Sequence, residues 1–224
     1  LYAAVLSRAV PDALGHILIA SIIATPAAMA VSLLMVPEDG PSTEAGVETT
    51  NKAAPGSSME ALMRGTVDGA ALLVNIIAML VVLVALVSLL NQLLACLPAV
   101  GSAPLSLQRM LGWLMAPVVW LAGIPWHEAV TAGALMGTKT VLNELLAYLD
   151  LARLPAEELS ARSRLIMTYA LCGFANFGSL GIMLGGLCTM APTRRAEIVQ
   201  LGLRSLISGT LATLIAASIV AMWR

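Results

Sequence analysis

Apolar residues fill long stretches of this chain, and the places where they give way are few. Residues 17–36 form a first apolar run long enough to cross the ~30 Å hydrocarbon core of a bilayer. Pro26 lies within it among Ala24, Ala27, Ala28 and Ala30, the pattern of a kinked helix packed closely on a neighbour. With the ten-odd residues before it, this gives a first unit, 1–37: the end of a preceding helix plus one transmembrane helix. Residues 38–66 are rich in Pro, Gly, Ser, Thr and Glu and are read as a polar loop. Residues 67–98 hold the longest apolar run and are read as a long transmembrane helix. Asn75 and Asn91 interrupt it, as interhelical hydrogen-bonding residues do.

The second half of the chain is less regular. Residues 104–125 carry Pro117, Trp113, Trp120 and Arg109 around a short apolar core, which predicts an interfacial helix. Residues 126–149 are too polar for a simple span. Two short helical pieces flank MGTKTVLNE, the pattern of a re-entrant hairpin, which is tolerated only where protein or a water-filled cavity surrounds it. Residues 163–190 reach span length but contain LCGFANFGS, Leu171 to Ser179, and are read as a broken transmembrane helix. Residues 197–224 form a C-terminal transmembrane helix with Gly202, Ser205, Ser208, Gly209 and Thr213 as small packing positions. The fold class is therefore an all-α integral membrane protein, with transmembrane helices, a re-entrant helical hairpin and a broken helix.

Composition agrees and narrows the function. Of 224 residues, 59% are hydrophobic and 11% charged, and mean hydropathy is +0.90. A soluble domain carries roughly 25% charged residues, so this chain cannot cover itself with polar surface in water. The apolar runs are continuous rather than alternating, which argues against a barrel. A net charge of −1 provides no basic footprint for nucleic acid. Cys96, Cys172 and Cys188 lie in or beside apolar segments without metal-ligand spacing and are read as small buried hydrophobes. His16 and His127 have no ligand-like neighbours in sequence, and no nucleophile pattern emerges. The chain is not read as an enzyme, and no cofactor or metal site is expected. Leu1 to Val10 lacks the basic, apolar and cleavage regions of a signal peptide. The chain is read as beginning partway through a larger architecture.

Two stretches hold candidate chemistry. Glu144 follows Asn143 with apolar residues on both sides. An ionised carboxylate within a membrane costs at least ~2.5 kcal/mol, which marks a functional group by default. The other reading is a carboxylate at an aqueous helix end near Lys139. In the second stretch, Gly173 and Gly178 bracket FANF. Each glycine weakens a helix by about 1 kcal/mol relative to Ala, and broken helices form midplane solute sites. Asn176 offers an amide, Ser179 a hydroxyl and Phe174 an apolar wall. With Glu144 they suit hydroxyl groups, as on a sugar. The other reading is close helix packing through Gly181 and Gly185 in GxxxG spacing.

MGTKTVLNELLAY (136–148), ALCGFANFGSLGIMLGGL (170–187) and APTRR (191–195) resemble the C-terminal half of concentrative nucleoside transporters. SIIATPAA (21–28), LGWLMAP (111–117) and GIPWHEA (123–129) extend the resemblance, in order, over nearly the whole chain. It implies secondary active transport of nucleosides across the cytoplasmic membrane by alternating access, in a homotrimer embedded in the lipid bilayer. The coupling cation, sodium or proton, would be co-transported rather than held as a cofactor. The implied substrate-binding residues are Glu144 at the hairpin tip with Asn143 beside it, and Asn176 and Ser179 on the broken helix. Glu144, Asn176 and Ser179 would take ribose hydroxyls, and Phe174 would line the pocket. The family's first hairpin carries Gly-Gln-(Ser/Thr)-Glu-Ala-Pro, which reads the base and helps to build the sodium site. That motif is not in this sequence, so the resemblance implies the ribose side of the site, with the sodium site in the family's N-terminal half. The alternative reading is a truncated, transport-incompetent membrane fragment or a helix-packing partner subunit.

Overall fold

The computed structural model describes residues 2–7, 9–37, 56–99 and 104–223. Among these there is no strand. The helices are α1 (Tyr2–Leu6), α2 (Ala13–Met35), α3 (Ser58–Ala95), α4 (Leu107–Leu121), α5 (Trp126–Val141), α6 (Glu144–Arg153), α7 (Ala161–Leu171), α8 (Phe177–Met190) and α9 (Arg195–Trp223). A single 3₁₀ turn, Pro192–Arg194, joins α8 to α9. The helices α2 and α9 are long and apolar enough to cross a membrane.

The expected polar loop at 38–66 needs correction at its end. Residues 38–55 lie outside the described residues, but α3 starts at Ser58 rather than at 67. Ser57 Oγ accepts from the Glu60 amide at 3.1 Å, and Glu60 Oε2 accepts from the Gly56 amide at 2.8 Å. This pair of bonds, a capping-box variant in which Glu60 takes the amide of the residue before the N-cap, starts a helix inside a polar stretch. Within α3, the side chain of Asn75 lies outside the described part. Asn91 makes the expected interhelical contact: its Oδ1 accepts from the Leu107 amide at 2.8 Å, and its Nδ2 donates to Gln108 Oε1 at 3.0 Å. It thereby caps the start of α4.

Between α4 and α5 the chain turns through 118°. Gly123 makes the turn with φ 104, a conformation that L side chains rarely adopt. The two helices then pack backbone on backbone. A Cβ added at Gly133 would lie 2.5 Å from the Gly112 carbonyl oxygen. Residues 126–149 fold as α5 and the start of α6, which pack on each other with Leu142 and Asn143 at the tip. Residues 163–190 fall in α7 and α8, separated by Cys172 to Asn176.

Small side chains let α2 and α9 approach closely: Ala13 and Ala20 on one, Ala212, Ala216 and Ala217 on the other, are all buried. Two arginines serve the backbone. The buried guanidinium of Arg164 donates to the carbonyls of Leu151, Leu154, Pro155 and Leu159 at 2.7–3.1 Å. It satisfies carbonyls that the end of α6 leaves without intrahelical partners. Arg162 does the same for α9 through the Ala221 carbonyl at 2.8 Å. Tyr148, fully buried, donates to the Thr168 carbonyl at 2.8 Å and ties α6 to α7. The cysteines depart from expectation: Cys96 is exposed, and Cys172 and Cys188 are half-buried. An apolar residue in a membrane protein can face lipid at no cost, so hydrophobicity does not place it inside.

Candidate functional site

Two asparagines set the geometry of the two helix breaks. Asn143 is extended (φ −168°, ψ 172°) and its Oδ1 accepts from the Leu146 amide at 2.9 Å. Asn176 is likewise extended (φ −145°, ψ 163°) and accepts from the Ser179 amide at 2.7 Å. Each is an N-cap, a position asparagine favours because its side chain satisfies an amide that the new helix leaves open. Starting α6 after Asn143 puts Glu144 in its first turn.

The two starts meet. Asn176 Nδ2 donates to Glu144 Oε2 at 3.1 Å. On the other oxygen, Glu144 Oε1 accepts from the Tyr2 hydroxyl at 2.6 Å. Glu144 is 5% exposed and Asn176 2% exposed. The positive ends of two helix dipoles therefore converge on one buried carboxylate, which favours negative charge there. A carboxylate offers about four lone-pair sites, so two such bonds leave acceptor capacity for hydroxyl groups.

Ser179 and Phe174 flank this pair. The Ser179 hydroxyl bonds back to the carbonyl of Phe174 and lies 3.1 Å from that of Asn176. Both residues, with Asn176, Leu180, Met183 and Ser205, line a cavity of about 450 Å³. Phe174 stands 70% exposed at its rim. Asn143 lines a separate cavity of about 490 Å³ against Val81, Val84 and Ser88 of α3. The structure thus brings Glu144, Asn176, Ser179 and Phe174 into one neighbourhood, and leaves Asn143 at the hairpin tip as the residue that starts α6.

Glu144 is buried rather than at an aqueous helix end, and its recorded partners are Tyr2 and Asn176, not Lys139. Two residues beside the site, Tyr2 and Lys139, were not read from the sequence as part of its framework. Tyr2 is 142 positions from Glu144, and nothing local marks it. Lys139 is fully buried, with Nζ donating to the Ala170 carbonyl at 2.7 Å and to Thr213 Oγ1 at 3.0 Å. A lone cation within an apolar hairpin was the signal that could have found it.

Residues 16–221 match a family model described as the C-terminus of Na+ dependent nucleoside transporters. Over 211 residues the chain is 36% identical to an uncharacterized transporter, YutK, of Bacillus subtilis, covering 93% of this chain and 52% of that one. Over 218 residues it is 36% identical to sodium/nucleoside cotransporter 1 of Mus musculus, covering 89% of this chain and 34% of that one. Among solved structures, CNTnw in an inward-facing substrate-bound state superposes with a TM-score of 0.80 at 35% identity, covering 99% of this chain and 52% of that one. A CNTnw variant in an outward-facing state gives 0.84 at 34% identity, covering 99% and 53%. The chain spans about half the length of the Bacillus relative and of CNTnw, and about a third of the mouse protein.

Proposed function

Because this chain belongs to the concentrative nucleoside transporter family, integral proteins of the cytoplasmic membrane, we propose that it forms the ribose-binding side of a nucleoside–cation symporter. The observation that carries this reading is the buried meeting of the Glu144 carboxylate with the Asn176 amide across two helix breaks. Vicinal sugar hydroxyls donate to the carboxylate's remaining lone pairs, and a hydroxyl oxygen accepts from the Asn176 amide. Ser179 supplies a further hydroxyl once it turns from the Phe174 carbonyl, and Phe174 provides an apolar wall. Asn143 acts by fixing the first turn of α6, and so the direction of Glu144.

A nucleoside is too polar to cross hydrocarbon unaided. In this reading a site between two discontinuous elements is exposed to each side of the membrane in turn. Na+ is the coupling cation, a choice supported by the description of the matching family model and by the name of the mouse relative. Assembly as a homotrimer belongs to the same reading. The test is uptake of labelled uridine by the native protein and by Glu144→Ala. Hydrogen bonds to a charged group contribute about 1.5–3 kcal/mol each, so uptake at low substrate falls roughly 10–100-fold or more. Uptake by Glu144→Ala near the parental rate would remove Glu144 from the site.

A further inference from the structure

The two helix breaks are joined twice, by groups of opposite charge. Glu144, in the first turn of α6, meets Asn176, the N-cap of α8, so the anionic link joins two helix N-termini. Lys139 sits in the last turn of α5, and its Nζ bonds to the carbonyl of Ala170 in the last turn of α7. The cationic link therefore joins two helix C-termini. Each charge stands at the dipole end that favours it. The ammonium is fully buried, and its second acceptor, Thr213 Oγ1, anchors it to α9. Thr213 in turn donates to the Thr210 carbonyl at 3.0 Å, so the acceptor is oriented for the lysine. A Cβ added at Gly173 would sit 2.6 Å from Thr213 Cγ2 and 4.0 Å from Lys139 Nζ. Gly173, the second residue of the break, thus packs directly on this link.

Half-helix C-termini and unwound carbonyls are where discontinuous-helix transporters coordinate small cations. Here a lysine ammonium, with three donors and no acceptor, occupies such oxygens. We propose that Lys139 is a positioning residue: a tethered internal cation that holds the C-terminal ends of α5 and α7 together, and thereby sets the distance between Glu144 and Asn176 for a sugar diol. It does not touch the substrate, and it rests on the reading that this pair binds ribose. With the ammonium in place, this pair of helix ends takes no free cation.

The test is equilibrium binding of uridine and of 2′,3′-dideoxyuridine to the purified native protein, the Lys139→Met variant and the Glu144→Ala variant. Met keeps length and apolar volume but removes the charge. The expected result for Lys139→Met is a fall in uridine affinity of about tenfold or more. Affinity for the dideoxynucleoside changes less than about twofold, and the number of binding sites is unchanged. A merely structural lesion lowers the number of sites or weakens both ligands alike, and either result overturns the proposal. If Glu144→Ala loses the discrimination and Lys139→Met keeps the parental ratio, the ribose reading stands and this inference falls. If the parent itself does not distinguish the two ligands, both fall. Should Lys139→Met not give monodisperse protein, Thr213→Val removes one acceptor at similar shape. A ratio lowered about threefold supports the link, and an unchanged ratio overturns it.

Discussion

Helices α3 and α7 invert the usual relation between hydrophobicity and burial. The long α3 runs for 38 residues, and most of its described large apolar side chains are exposed, among them Leu73, Val81, Val82 and Leu89. The short α7 has 11 residues, including two arginines, a serine, a threonine and a tyrosine, and everything from Ser163 to Leu171 is buried. In a bilayer the solvent is as apolar as leucine, so an apolar face has no reason to turn inward. Polar side chains do have a reason, because lipid offers them no hydrogen bonds. They collect between helices, and the candidate site lies among them.

If this is right, equivalent changes should cost far more in the polar interior than on α3. The largest effect is expected at the α4–α5 crossing. Gly133→Val places a branched side chain against the Gly112 backbone, where an added Cβ already lies 2.5 Å from the carbonyl oxygen. Overpacking a side chain costs roughly 1–3 kcal/mol, and a clash with backbone belongs at or above the top of that range. Thermal denaturation of the detergent-solubilised protein should show a fall in Tm of several degrees or failure to purify, and an unchanged Tm would mean that these helices can separate cheaply.

A matched pair of caps sharpens the comparison. Ser160 caps α7 by accepting from the Ser163 amide at 3.3 Å, and its hydroxyl donates to Glu128 Oε2 at 3.2 Å. Glu128 is only 7% exposed. Ser160→Ala removes the cap, about 1 kcal/mol, and also strands a buried carboxylate oxygen, about 1–3 kcal/mol more. Ser57 caps α3 in the same way but in an exposed setting. Ser57→Ala is expected to cost only the cap, about 1 kcal/mol or less, with no change in uridine uptake. Equal losses of Tm for the two variants would erase the distinction between the two helices.

Parts of this pattern are legible without coordinates. The glycines and asparagine of LCGFANFGS mark the break between α7 and α8, and the polar MGTKTVLNE marks the hairpin. Both work through local backbone chemistry: asparagine caps the helix that follows it, and glycine weakens the helix before. The start of α3 was legible too, since Ser57 and Glu60 have capping-box spacing, but the polar composition around them hid it. The cysteines were misplaced by a rule that holds in water and fails in lipid.

The sequence by itself determined the membrane class, the order of the helices, the two breaks and the residue types available at them. These follow from hydrophobic run length and capping, which act over one or two helical turns. Only the tertiary structure decided that Glu144 meets Asn176 across 32 residues and Tyr2 across 142, and that Lys139 reaches Ala170 and Thr213 rather than Glu144. Those partners are chosen by which helix ends are brought together when the bundle packs, and no local pattern records that choice.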